Sequence, residues 1–117
     1  MNKYLLAFAV VMLVAGCAAH RPGPMQLENG VTFALSAPTA TSVAIAGSFN
    51  RWDTRRDLLS GPDHRGVWSI LLPLPPGRHE YLFFINGQTW MLDPSAPSTG
   101  DGMDGENSVL IVGESAP

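Results

Sequence analysis

The chain has 117 residues, 45% of them hydrophobic and 15% charged, with 12 glycines, 10 prolines and a formal net charge of −3 at pH 7. That length fits one small domain and excludes a multidomain enzyme, because a single core usually occupies about 100 to 150 residues. So many helix breakers exclude a helical bundle and favour an all-β domain, and the acidic balance argues against a general binder of nucleic acid phosphates.

Met1-Asn2-Lys3 is positively charged, and Tyr4 to Ala15 is an unbroken apolar run. The run is too short to span a hydrocarbon core about 30 Å thick, yet right for the apolar region of an export signal. Leu13-Val14-Ala15-Gly16 then leads to Cys17, the sole cysteine, and this segment resembles the lipobox of bacterial lipoproteins. The resemblance implies a signal peptide over residues 1–16, cleavage before Cys17, and a lipid on Cys17 that fixes the protein to a membrane. No disulfide is then possible in the mature chain. A small core cysteine is the alternative. Ala18 rather than Asp follows, which within that resemblance implies the outer membrane of a Gram-negative envelope. Loss of residues 1–16 removes Lys3, the only lysine, and leaves a more acidic domain with arginine as its only strong base.

From Ala18 to Asn29 two prolines and a glycine interrupt a stretch without periodicity, so residues 17–29 read as the lipidated cysteine and a tether. From Gly30 the pattern alternates with period two, as half-buried strands do. Val31, Phe33 and Leu35 share one face of the first run; Val43 and Ile45 share a face of the second, Ser42 to Gly47, with Ala44 and Ala46 opposite. Ser48 to Arg65 is a long connection whose arginines are interleaved with Asp53, Asp57 and Asp63, a solvated loop. Val67 to Leu74 is the third strand, with Trp68, Ile70, Leu72 and Leu74 on its core face. Pro75-Pro76-Gly77 turns the chain into Arg78 to Ile85, where Tyr81, Phe83 and Ile85 oppose Leu82 and Phe84. Asn86-Gly87 predicts a type I′ hairpin, returning through Gln88 to Met91. After a loop rich in Ser, Gly and Asp, Ser108 to Val112 is the last strand, and residues 114–117 form a tail. Six such runs without a convincing helix predict an antiparallel β-sandwich, of six to eight strands, over residues 30–113.

Several motifs recur in a telling order: Gly47-Ser48-Phe49-Asn50-Arg51-Trp52-Asp53, Gly66-Val67-Trp68, Pro75-Pro76-Gly77-Arg78-His79-Glu80-Tyr81, Asn86-Gly87, Trp90, Asp93-Pro94 and Asn107. The ordered set resembles family 48 carbohydrate-binding modules, which include the glycogen-binding domain of AMP-activated protein kinase β subunits, over about residues 30–112. The resemblance implies an immunoglobulin-like, early-set β-sandwich that binds α-1,4-glucans such as glycogen and starch. By position its sugar contacts fall on Trp52, Leu82, Trp90, Met103, Gly105 and Asn107. Both tryptophans and the asparagine are kept. A lysine has become Leu82, a threonine Gly105 and a leucine Met103, and the Asn86 to Trp90 hairpin has one extra residue. The losses at 82 and 105 predict weaker binding than in the kinase relatives, each worth about 0.5 to 1.5 kcal/mol.

The residues support an aromatic platform independently. Glucose rings expose apolar C–H faces that a flat indole can cover, while their hydroxyls need a few polar partners. Trp52 stands in a loop of Arg and Asp where no core pattern demands it, and Leu82 lies opposite the core stripe. Trp68 reads as core. Trp52 and Trp90 read alternatively as caps on a sandwich edge, and Asn107 as a turn residue. His20, His64 and His79 have no second cysteine or paired histidine with which to form a nucleophile or metal site. Asp93, Asp101, Asp104 and Glu106 lie in or beside a Gly-rich loop without a framework to fix an acid pair, and the Asp101–Asn107 spacing fails a calcium-loop pattern. The reading is therefore a non-catalytic, lipid-anchored α-glucan binder without a cofactor or metal. A protein partner held by the same aromatic face is the alternative, favoured by the more apolar Leu82 and Gly105.

Overall fold

The computed structural model describes residues 24–113. The expected signal peptide, Cys17 and the first part of the tether lie outside the described residues, as do residues 114–117. Eight strands make up the described chain: β1 (Met25–Leu27), β2 (Gly30–Ser36), β3 (Val43–Gly47), β4 (Val67–Leu72), β5 (Gly77–Ile85), β6 (Thr89–Met91), β7 (Ser98–Gly100) and β8 (Glu106–Val112). They form two antiparallel sheets, one ordered β1-β2-β4 and the other β3-β5-β8-β7 with β6 added beside β5. Among the described residues no helix is long and apolar enough to cross a membrane.

Alternation decides which side chains enter the space between the sheets. Val31, Phe33 and Leu35 of β2 and Trp68 and Leu72 of β4 meet Val43, Ile45, Tyr81, Phe83 and Leu110 from the larger sheet. Each such apolar side chain contributes about 1.5 to 3 kcal/mol by leaving water. Phe33 and Tyr81 pack edge to face across the two layers with centroids 4.9 Å apart. The Trp68 indole is core, as its stripe predicts, and its Nε1–H donates to the Ala37 carbonyl at 2.9 Å. β3 is buried on both faces, and Ala44 and Ala46 stand opposite the larger Phe84 and Leu82 in register.

The long connection after β3 is tied down at three places. The Ile45 N–H donates to the Asp57 carbonyl and the Leu59 N–H to the Val43 carbonyl, which covers the outer edge of β3. Ser60 and Ser69 exchange both backbone bonds at 2.9 Å, linking the loop to the other sheet. At its end the backbone N–H groups of Val67 and Arg65 bond Asp63 Oδ1 and hold that carboxyl below its ordinary value.

Three differences from the sequence reading have local causes. Met25–Leu27, read as tether, pairs with β2 because the Glu28-Asn29 turn lets Leu27 reach Gly30, and Gln26 anchors to the Ile111 carbonyl. Ser98–Gly100, read as loop, pairs with the start of β8, which begins at Glu106 and not Ser108. β4 stops at Leu72, one residue before Pro73, which has no N–H to offer a ladder. At the hairpin, Asn86 and Gly87 both have positive φ, as a type I′ turn requires, and Gln88 donates back to Ile85. The β5–β6 ladder starts with Ile85 opposite Thr89, so Gln88 is an added residue between the Asn86-Gly87 turn and the ladder.

Candidate functional site

The outer face of the larger sheet carries the side chains that alternation turns away from the core. On β5 these are Leu82 and Phe84, which alternate with buried Tyr81 and Phe83. β6 sets Trp90 directly opposite Phe84, and the two rings lie 4.6 Å apart with planes inclined by 44°. The indole is 47% exposed, so one part rests on Phe84 while the rest faces water.

Trp52 reaches the same face from the loop after β3. Arg51 and Trp52 both adopt left-handed backbone, with φ of 58° and 59°, a conformation that costs a non-glycine residue free energy unless its surroundings enforce it. Asn50 supplies the enforcement. Its buried amide oxygen accepts the Gly47 N–H at 2.9 Å, and its Nδ2 donates to the Ile45 carbonyl and to Asp57 Oδ2. Trp52 N–H closes the turn on the Gly47 carbonyl. A side chain at Gly47 would run into the Glu80 carbonyl, 2.4 Å from where its Cβ would stand, so glycine is needed for β3 and β5 to approach. The indole of Trp52 is left 37% exposed.

The third wall comes from the β7–β8 loop. Asp101 Oδ1 accepts the N–H groups of Met103 and Gly105 at 2.7 and 3.0 Å, an Asx turn that holds the 82% exposed Met103 side chain out in water. Asn107 stands on β8 and donates from Nδ2 to Glu80 Oε1 at 3.2 Å, while Arg78 pairs with Glu80 Oε2 at 3.3 Å. With its amide nitrogen committed, Asn107 keeps Oδ1 for an external donor.

Trp52, Leu82, Trp90, Asp101, Met103 and Asn107 together line one open groove of about 450 Å³. Two indoles on one groove offer broad apolar surface, and Asn107 and Asp101 offer hydrogen-bond acceptors at its edge. A model of the glycogen recognition site of AMP-activated protein kinase matches residues 31–117. The chain belongs to that family. It is 40% identical over 76 residues to the chloroplastic protein PTST of Arabidopsis thaliana, covering 62% of this chain and 26% of that protein. It is 36% identical over 104 residues to the 1,4-alpha-glucan branching enzyme GlgB of Pseudomonas syringae pv. syringae (strain B728a), covering 85% of this chain and 14% of the enzyme. Against the mouse 5'-AMP-activated protein kinase subunit beta-2 the figures are 40% over 73 residues, 62% and 26%. The chain thus spans about a quarter or less of these relatives.

Of the six positions to which the resemblance assigns sugar contacts, the structure brings Trp52, Leu82, Trp90, Met103 and Asn107 to the groove, and Gly105 is not part of its lining. Sequence reasoning missed the supports: Phe84 under Trp90, Glu80 beside Asn107, Asn50 behind Trp52, and Asp101 as a wall of the groove. The Asp-Gly-x-x-Gly pattern at 101–105 was a legible signal for the Asx turn. Asp93, considered as part of an acid pair, is buried away from the groove. Its Oδ2 accepts the Tyr81 hydroxyl at 2.6 Å, its Oδ1 accepts from Ser95, and its own N–H donates to Ser108 Oγ. Burial, then the adjacent Asp93, pushes the Tyr81 phenol above its ordinary value.

Proposed function

We propose that the protein is a non-catalytic binding module for α-1,4-glucan, with Trp52 and Trp90 as the stacking surfaces and Asn107 as a hydroxyl partner. The observation that carries this reading is that both indoles, each part exposed and held by its own support, open onto one groove. The family's description as a glycogen recognition site, and a relative named for its action on 1,4-alpha-glucan, support the choice of sugar. Asp101 is the one carboxylate among the described residues that line the groove, whereas glycoside hydrolysis ordinarily uses two at a set separation.

The anchor belongs to the same proposal. An apolar run ending in small residues before a lone Cys17 supports export and lipidation, which would hold the module on a bacterial envelope membrane through a short link. Incorporation of a labelled fatty acid, lost in Cys17→Ala, tests that part.

The test of ligand class is native electrophoresis through gels with and without glycogen, using the full chain in a zwitterionic detergent that carries no sugar. Retardation by glycogen that Trp52→Ala and Trp90→Ala each abolish supports the reading. Unretarded migration of the unmutated chain overturns it and turns attention to a protein partner, for which the exposed Met103 beside Leu82 is the observation in favour.

A further inference from the structure

The groove contains a carboxylate that the sequence reading left without a role. Asp101 uses one oxygen, Oδ1, to accept two backbone N–H groups of its own loop. Oδ2 accepts no hydrogen bond, and no arginine or histidine pairs with it, among the described residues. The two bonds to Oδ1 restrict the carboxylate of this groove-lining residue and leave Oδ2 as its unbonded acceptor.

The position of that oxygen explains the glycine two residues before Asn107. A Cβ built on Gly105 would stand 2.5 Å from Asp101 Oδ2, and the three atoms nearest to it would all belong to the Asp101 carboxylate. The backbone of Gly105 is not in the left-handed region, so the close obstacle to a side chain there is the Asp101 carboxylate and not backbone strain. Asp101 and Gly105 are two halves of one arrangement, in which the acid fills the volume that a hydroxyl side chain at 105 would take.

We propose that Asp101 is a glucan-binding residue that replaces a side chain at Gly105, its Oδ2 accepting hydrogen bonds from sugar hydroxyls stacked against Trp52 and Trp90. The proposal rests on the α-glucan reading above. A carboxylate accepts from a hydroxyl more strongly than a neutral oxygen does, and glucose presents adjacent hydroxyls as donors. Asp101 thus keeps a hydrogen-bond acceptor in the groove beside Gly105, a residue that offers no side chain of its own.

The experiment is titration calorimetry of the full chain, in the same sugar-free detergent, with maltoheptaose. Asp101→Asn keeps an Oδ1 that can accept from Met103 and Gly105 but removes the charged oxygen, and affinity falls about three- to tenfold. The amide NMR shifts of Met103 and Gly105 stay near their unmutated values, which separates this loss from a collapsed loop. Gly105→Thr weakens binding because its Cβ displaces the carboxylate, Asp101→Ala weakens it by removing the acceptor, and the Asp101→Ala/Gly105→Thr double variant binds more tightly than either single one. If the unmutated chain binds maltoheptaose while Asp101→Asn binds equally well, or the double variant is no better than Asp101→Ala, the assignment to Asp101 is wrong and the α-glucan reading survives. If the unmutated chain binds neither maltoheptaose nor glycogen, both are overturned.

Discussion

Phe84 and Trp90 face each other across the β5–β6 hairpin, and the exposed indole of Trp90 rests on the Phe84 ring. Such a pair is worth about 0.5 to 1.5 kcal/mol beyond its buried area. Phe84→Ala should therefore free Trp90 to sample other rotamers and lower affinity for maltoheptaose about three- to tenfold. Because Phe84 is only partly buried and lies outside the inter-sheet core, the melting temperature should fall by only a few degrees. Calorimetric titration and a thermal melt check the two halves of this expectation, and a large loss of stability with unchanged affinity would contradict it.

Glu80 ties Asn107 to Arg78, and the three residues link β5 to β8 beneath the groove. Glu80→Gln keeps an oxygen for the Asn107 amide, so maltoheptaose affinity should stay within about twofold. Glu80→Ala removes that partner, lets the amide turn, and should weaken binding about two- to fivefold. Stability should change little in either, since the Arg78 pair is solvent-exposed and such pairs contribute about 0 to 1 kcal/mol. Equal affinities for the two variants would show that Asn107 is oriented by something else.

The strands that were legible in the sequence are those whose alternation is enforced by burial. Val31-Phe33-Leu35 and Tyr81-Phe83 announce their faces because each inward position is a large apolar residue. Met25–Leu27 and Ser98–Gly100 show no such stripe, because they are three-residue edge strands held by backbone pairing, and pairing leaves no mark on side-chain type. The groove was legible through its tryptophans for a similar reason: an indole in a loop of arginine and aspartate has no core to satisfy. Its supports were not, since Asn50 and Asp101 act through bonds to nearby backbone N–H groups whose direction depends on local φ and ψ. A buried Tyr81–Asp93 bond between residues twelve apart likewise depends on where the β6–β7 connection folds back.

Tyr81 gives the sandwich an alkaline limit. Burial first and the neighbouring Asp93 second favour the protonated phenol in the folded chain, so its folded pKa lies above the unfolded value of about 10. Stability from this group is fully present below pH 10. Above it the unfolded chain releases a proton that the folded chain keeps, and unfolding becomes easier by about 1.4 kcal/mol per pH unit. Tyr81→Phe should remove that alkaline decline while costing about 1 to 3 kcal/mol at neutral pH through the unpaired Asp93 oxygen. Urea melts at pH 7 and at several pH values above 10, on both proteins, provide the comparison; parallel alkaline slopes would show that Tyr81 does not control the limit.

Asn50 connects folding to binding most directly, because its three hydrogen bonds hold the left-handed turn that presents Trp52. Asn50→Ala leaves the Gly47 N–H and the Ile45 carbonyl short of a partner in a buried place, at a cost of about 1 to 3 kcal/mol. Asn50→Asp keeps the acceptor for Gly47 but sets a carboxylate against Asp57, whose Oδ2 lies 2.8 Å from the present amide nitrogen. At neutral pH the two like charges repel, and the Asp variant should be the less stable of the two; as the pH falls and a shared proton restores a hydrogen bond between the acids, it should recover while the Ala variant does not. Both variants should bind maltoheptaose more weakly than the unmutated chain even where they remain folded, because Trp52 then has no reason to keep a φ of 59°. Affinity measured well below the melting temperature, beside urea midpoints at pH 7 and pH 4.5, separates the two effects: normal affinity in a folded Asn50→Ala protein would mean that the loop holds Trp52 in place without it.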